Sequence, residues 1–337
     1  MDDPLLLIAD GNNLAWAGYH ALRRSINPET PEQRVRTALL GLTGSALGLV
    51  VRAGEPPSPG SPAALARKNA GRVSGLVVAF DEGRPLFRRS IWPAYQTGRE
   101  SDPQFMDNEV HIVEAIRQFS EMAMMLPITI LRGVNTEADD LMAHVGLAFG
   151  GLGSRVRIAS TDRDFLQLVD EHITIYSTVK RVVVNVDNFD EHVAPKSSSG
   201  DPVTFPRERY LDYRAASGDT SDDLPGIPGL GTIGAARLLQ HAPLDDYIEH
   251  PMRAAGALGR ANAKLEAALY SGEAAAIVAR NRQLMDLRLA ASRFENIDDM
   301  TRAGQWDEAA FRAWFKEQRI SGLDLEATVL AMSALAD

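Results

Sequence analysis

Cysteine is missing from all 337 positions of this chain. A disulfide framework and a thiolate metal site are both excluded, which fits a reducing compartment. Positive charge is short as well: 35 lysines and arginines stand against 45 acids, a formal net charge of −10. That balance argues against a globally basic nucleic-acid binder, although basic residues gathered along one path still steer a polyanion. Nor is a leader expected. The run MDDPLLLIAD begins acidic, and its apolar part is far too short for a signal peptide or a membrane span. A soluble, cytoplasmic chain with no membrane partner is expected. The 45% of hydrophobic residues can build the core of one large or two modest domains.

Short β-rich runs alternate with helical patterns through the first two-thirds. Leu5–Ala9, Leu76–Phe80, Ile128–Leu131 and Val156–Ser160 read as buried strands, while Pro31–Val51, Asn108–Met125 and Glu137–Phe149 have helical length and spacing. The alternation predicts an α/β fold with a mostly parallel sheet flanked by helices on both faces. Residues 173–178 and 180–186 read as a late hairpin. Residues 54–75, with PPSPGSP, and 194–206, with PKSSSGDP, read as loops or disorder. Beyond Arg207 only helices are expected. The division is an α/β core over 1–206 and a helical subdomain over 207–337.

Nine acids mark the ends of these elements: Asp10, Asp81, the Glu137-x-Asp139-Asp140 trio, the Asp162-x-Asp164 pair, Asp219 and Asp222. So many carboxylates in one place cannot all stay ionised without divalent cations. Oxygen-only ligands suit two Mg²⁺ or Mn²⁺ ions, and a pair of such ions suits phosphodiester hydrolysis. In a parallel sheet the carboxyl ends of the strands carry the site, and the acids that follow strands fall there. Each motif also has a plainer reading. Asp10-Gly11-Asn12 and Asp81-Glu82-Gly83 are good turns. Thr136 with Asp139 is a capping pair, and Asp162-x-Asp164 equally starts a helix. A dehalogenase-type phosphatase would need a second aspartate where Asn12 stands.

Gly226, Gly229, Gly231 and Gly234 lie in GDTSDDLPGIPGLGTIG. The Gly-x-Gly-x-x-Gly spacing matches a dinucleotide fingerprint in form only, because no strand precedes it. A hairpin between helices, with glycines that let backbone amides approach a phosphate, fits better, and a simple helix–helix turn is its plain alternative. Arg84, Arg88, Arg89 and Arg99 cluster after Asp81, with Arg67, Lys68 and Arg72 upstream. Trp92 and Tyr95 either stack on unpaired bases or pack the core.

The ordered set LIADGNNL, FDEG, Tyr95-x-x-Gly98-Arg99, TEADD, STDRDF and GDTSDDLPGIPGLG resembles the 5′-nuclease or flap-endonuclease family. That family includes the N-terminal nuclease domain of bacterial DNA polymerase I and stand-alone phage 5′-exonucleases. The resemblance runs from about Leu5 into the helical C-terminus. It implies a PIN-like core and a structure-selective, two-metal 5′-3′ exonuclease and flap endonuclease of replication or repair. One metal would lie near Asp10, Asp81, Glu137 and Asp139, and the second near Asp164, Asp219 and Asp222. Asp162 would lie between them, with Asp140 as a supporting acid.

Residues 84–105 match the family's arch, in which Arg84, Arg88, Arg89, Tyr95, Gln96 and Arg99 would meet DNA, Arg99 at the reacting phosphate. The glycine segment resembles a helix–three-turn–helix that grips duplex DNA with help from K⁺. DNA with 5′ flaps or free 5′ ends is the implied partner, RNA primers are a related one, and the chain would act as a monomer. Two departures stand out. Gln96 replaces the arch lysine, a loss of roughly 3–4 kcal/mol of transition-state stabilisation in related electrostatic catalysis. Asp223 stands where the family often has asparagine. A PIN-type ribonuclease and a flap-binding protein with decayed catalysis are the alternatives.

Overall fold

The computed structural model describes residues 4–259, 262–320 and 322–337; the acidic N-terminal residues 1–3 lie outside them. Seven strands form one sheet: β1 (Leu5–Asp10), β2 (Val73–Glu82), β3 (Thr129–Val134), β4 (Arg155–Ala159), β5 (Ile173–Ser177), β6 (Val182–Val184) and β9 (Thr301–Ala303). Their order across the sheet is β6-β5-β4-β1-β2-β3-β9. The five central strands run parallel, and β6 and β9 close the two edges antiparallel. The expected late hairpin is β5–β6. A two-residue pair, β7 (Gly218–Asp219) with β8 (Leu224–Pro225), stands apart.

β1 is buried along its whole length, as a strand covered on both faces must be. Its side chains alternate between two cores. Leu5, Leu7 and Ala9 enter the one formed with α1 (Gly11–Ile26), α2 (Pro31–Val51), α3 (Pro62–Asn69) and α6 (Pro103–Ala123). Leu6 and Ile8 enter the other, formed with α7 (Ala138–Gly151). The chain builds β1, β2 and β3 outward with helices on the first face. It then crosses back beneath the sheet through α7 to β4 on the other side of β1. The strand order therefore reverses at β1, and the crevice beyond the carboxyl ends of β1 and β4 is where such sheets bind ligands.

α2 is long and apolar enough to cross a membrane by length and composition, but 67% of its most apolar window is buried inside the fold. It packs against α1 so closely that a Cβ on Gly18 would lie 2.6 Å from Gly41 backbone, and the converse holds at Gly41. This is a core helix.

Three expectations need correction. The 54–75 segment is not all loop: Ser61 caps α3 through the Ala64 N–H, Pro62 opens it, and Val73 already belongs to β2. The chain beyond Arg207 is not helix only. β9 pairs with β3, because Thr301–Ala303 meets an edge whose backbone groups would otherwise go unpaired. Gly11 is no turn residue but the first residue of α1, and a Cβ there would sit 2.2 Å from the Phe80 ring.

Two short helices, α4 (Leu86–Ile91) and α5 (Thr97–Ser101), lie between β2 and α6. After α8 (Phe189–Val193) and the 194–206 loop come α9 (Tyr210–Ser217), α10 (Thr232–His241), α11 (Leu244–Glu249), α12 (Met252–Leu258), α13 (Ala263–Ser271), α14 (Glu273–Met285) and α15 (Leu287–Ala291). They share the α7-side core of the sheet. The last two, α16 (Glu308–Glu317) and α17 (Leu325–Ala336), return to the opposite core.

Candidate active site

A cleft of about 1280 Å³ opens along the carboxyl edge of β4, β1, β2 and β3, between the sheet and the α9–α14 block. Asp10 is both the last residue of β1 and the N-cap of α1. Its Oδ1 accepts the Asn13 N–H at 2.8 Å, and its Oδ2 accepts the Ser160 hydroxyl at 2.8 Å. Asp81 follows on β2, where its Oδ1 accepts the Ala138 N–H at 2.7 Å and so caps α7 from outside. The capping pair of Thr136 and Asp139 does not form; Glu137 is the N-cap and makes no side-chain bond there. Asp162, just past β4, accepts the Asp164 N–H at 2.7 Å, and Asp164 opens a single turn of 3₁₀ helix.

Three arginines divide the nine acids into two groups. Arg88, 5% exposed, donates to both oxygens of Asp140 (2.7 and 3.2 Å), to Glu137, and to the Leu284 carbonyl at 2.9 Å. Arg214 donates to Asp164 at 2.7 Å and to Asp219. Arg99 donates to Asp222 at 2.8 Å. Glu137, Asp140, Asp164, Asp219 and Asp222 thus have a cation at hydrogen-bond distance. Asp10, Asp81, Asp139 and Asp162 have none among the described residues.

Burial pushes the Asp10 carboxyl up to about 7, against the pull of the Asn13 N–H and with the charge of Asp81 adding to the rise. Burial also raises Asp139 well above the usual range, and the charges of Asp162, Asp10 and Asp81 push it further. Asp81 opens onto the cleft by surface area, yet the enclosing walls raise it too. Burial carries Glu137 and Asp164 to about 7 and Asp222 to about 6, although Arg88, Arg214 and Arg99 respectively oppose it. Only Asp219 is lowered, since its bonds to Ser221 and Arg214 outweigh its burial.

Among the described residues no three acids converge closely enough to hold an ion as they stand. The donor set nevertheless fits hard divalent cations: all oxygen, mutually repelling, and short of positive charge at Asp10, Asp81, Asp139 and Asp162.

The shifts set the pH response of the metal-free protein. Raised carboxyl pKa values mean that the native state keeps protons the unfolded chain releases above about pH 4. Stability therefore falls as pH rises from about 4 through 7. In EDTA the Tm is expected to be several degrees lower at pH 8 than at pH 5. Mg²⁺ or Mn²⁺ should restore it chiefly at pH 8. A Tm that rises with pH in EDTA would contradict this charge assignment.

The expected DNA-contacting residues are placed unevenly. Arg88 was expected to face DNA, but it is buried and fully committed to Glu137, Asp140 and Leu284. Tyr95, 5% exposed, directs its hydroxyl to Glu137 at 3.2 Å and has no face free for a base. Arg84 and Arg89 both pair with Glu100, at 3.2 and 2.7 Å. Half-buried Trp92 donates Nε1–H to the Asp223 carbonyl at 2.9 Å, beneath the guanidinium of Arg280. Gln96 sits between the acid groups, its amide 3.0 Å from Asp222 Oδ1 and 3.4 Å from Glu137 Oε1.

Gly226 is fixed by packing, because a Cβ would meet the Ser217 carbonyl at 2.3 Å; Gly229 has φ +77, and Gly234 lies against Leu230. Gly231 is the exposed N-cap of α10 and has open space around its Cβ position.

Arg214 escaped the sequence reading, and so did Asn12, Asn13 and Ser160. Their only sequence signal is proximity to the acid motifs. Arg163 and Lys180 also line the cleft, and no carboxylate ion pair is found for either among the described residues.

A mostly parallel sheet with carboxylates along one edge and a helical block across the cleft makes up the fold. The model of the 5′-3′ exonuclease N-terminal, resolvase-like domain matches residues 5–194, and the chain belongs to that family. DNA polymerase I of Mycobacterium tuberculosis is 31% identical over 285 residues, 84% of this chain and 27% of the relative. That of Deinococcus radiodurans is 30% identical over 238 residues, covering 71% and 21%. The chain thus spans about a quarter of the length of the curated relatives it matches. Among solved structures, phage T5 5′-exonuclease with bound zinc matches with a TM-score of 0.60 at 18% identity, covering 99% of this chain and all of that one. Human GEN1 bound to Holliday junction DNA gives 0.55 at 13% identity, covering 98% and 71%.

Proposed function

We propose that the chain is a divalent-metal-dependent 5′-3′ exonuclease and flap endonuclease that hydrolyses DNA phosphodiesters at 5′ ends and single-stranded 5′ flaps. The observation that carries this reading is the set of four acids without a cation partner, Asp10, Asp81, Asp139 and Asp162, on the carboxyl edge of the sheet. Family membership supports it, and so does the T5 flap endonuclease solved with DNA and metal ions, which shares the fold at a TM-score of 0.60.

Those four acids would hold one ion. Asp164, Asp219 and Asp222 would contribute to a second, with Glu137 supplied as Arg88 permits. Mg²⁺ or Mn²⁺ held there supplies Lewis acidity and charge neutralisation for phosphodiester hydrolysis. Arg99, exposed and aimed at Asp222, neutralises charge on the reacting phosphate. Arg163 and Lys180, for which no acid partner is found among the described residues, take backbone phosphates in the cleft. The open N-terminus of α10 at Gly231 receives a duplex phosphate through backbone N–H groups, with K⁺ as its partner cation. The protein works as a cytoplasmic monomer, and RNA 5′ ends are an additional substrate class.

A 5′-labelled DNA flap incubated with Mg²⁺ or Mn²⁺, beside an EDTA control, tests the reading. Short 5′ products that need the metal support it. Tight binding without cleavage in either metal overturns it, and so does cleavage of RNA alone.

Gln96 gives a second test. Its amide occupies ground where a lysine would add positive charge between Asp222 and Glu137. Arg99→Ala is expected to lower the single-turnover rate about a hundredfold, and Gln96→Lys to raise it about tenfold or more. Unchanged rates in both variants would remove the arch from the chemistry.

A further inference from the structure

We propose that Asp223 is a positioning residue that holds the catalytic Arg99 in place by capping the helical turn that carries it. This rests on the role given to Arg99 above. α5 is only five residues long, and the residue before it, Gln96, has φ +55 and gives no side-chain cap. A lone turn of that length does not persist in water without outside support. The support comes from across the cleft. Asp223 Oδ2 accepts the Gly98 N–H at 2.8 Å, one residue before Arg99.

The same turn of chain holds the segment leading into α5 at three further points. The Asp223 carbonyl accepts Trp92 Nε1–H at 2.9 Å, and the Asp222 carbonyl accepts the Gln96 N–H at 3.2 Å. Arg280 covers Trp92 at 4.2 Å while donating to the Pro225 carbonyl at 3.0 Å.

Asp223 can do this because of its backbone. Its φ of +56 is a left-handed conformation that aspartate tolerates better than most residues. It turns the carboxylate of Asp223 toward α5 while Asp222, its neighbour, faces the cleft acids. Asp222 then receives Arg99 at 2.8 Å and the Gln96 amide at 3.0 Å. Two consecutive aspartates thus divide the work: Asp222 meets the Arg99 side chain, and Asp223 fixes the backbone from which it extends. Hydrogen-bond acceptance, rather than charge, is what the geometry demands of Asp223, so an asparagine carbonyl would serve.

Hydrogen exchange of the 97–101 amides in the metal-free full chain, with single-turnover cleavage of a 5′ flap, tests this. Asp223→Ala should speed exchange in that turn and lower the rate about tenfold to a hundredfold, with little change in substrate affinity. Asp223→Asn should restore both to near the wild-type values. Combined with Arg99→Ala, Asp223→Ala should cause almost no further loss, since it acts through that side chain. Unchanged exchange in Asp223→Ala, additive losses in the double variant, or an asparagine variant as impaired as the alanine one would each overturn the proposal. If the wild-type chain cleaves no flap, the proposed function falls, whereas the exchange measurement still decides whether Asp223 caps the turn.

Discussion

Asp162→Asn and Asp10→Asn are each expected to lower metal-dependent flap cleavage by at least about 10³-fold, the several kcal/mol that metal-based charge stabilisation supplies. The stability of the metal-free protein should move the other way at Asp10. Asparagine can still accept the Asn13 N–H, and its amide can donate to the Ser160 hydroxyl, which reverses the direction of the second bond. What disappears is a buried carboxylate that Asp81 and Asp162 repel. Asp10→Asn in EDTA at pH 8 should therefore melt above wild type, and Mg²⁺ should raise its Tm less. A site built for stability would behave oppositely, losing Tm with each acid removed. Activity within tenfold of wild type in both variants, or a lowered Tm for metal-free Asp10→Asn, would break the link drawn between unpaired charge and metal binding.

That opposition between stability and activity explains why the site was legible in the sequence. A parallel strand covered on both faces needs an unbroken apolar run, and LLLIAD supplies one whose end is marked by the first polar residue, Asp10. The same logic located β2, β3 and β4 to within a few residues and the acids that follow them. Elements set by tertiary pairing were not legible. Thr301–Ala303 has three residues and no apolar pattern, and only the open edge of β3 makes it a strand. α3 left a local trace, with Ser61 as cap and Pro62 at the first position, but the prolines and serines around it masked the signal. The roles of the arginines were hidden for a different reason. Arg88 reaches Asp140 across 52 positions and Arg214 reaches Asp164 across 50, and no local spacing encodes either contact. Runs of basic residues near an acidic motif suggest phosphate binding. The fold turns Arg88 inward instead.

Arg88→Ala should be among the most destabilising single changes in the molecule. Its guanidinium fork fits Asp140, which is 2% exposed and has, among the described residues, Arg293 at 3.6 Å as its one other cation. Removing the fork leaves a buried carboxylate without adequate compensation, and frees the Leu284 carbonyl that ties α4 to α14. Breaking a buried pair in this way costs about 3–5 kcal/mol. For a chain of this size the corresponding fall in Tm is on the order of 10 °C. Arg88→Lys should recover little, because an ammonium cannot present two parallel donors to Asp140 and reach Leu284 as well. Removing both partners differs in kind. Arg88→Met combined with Asp140→Leu removes the stranded Asp140 charge, and the share of the lost Tm that it caused should return, while Glu137 and the Leu284 carbonyl still lack their donor. The rescue separates a structural clamp from a phosphate contact. If Arg88→Ala melts like wild type but binds DNA more weakly, then Arg88 serves the substrate and its inward pairing does not dominate in solution. If the double variant is folded and stable, the buried pair is a device for shaping the cleft, holding Glu137 at its wall, rather than a source of net stability.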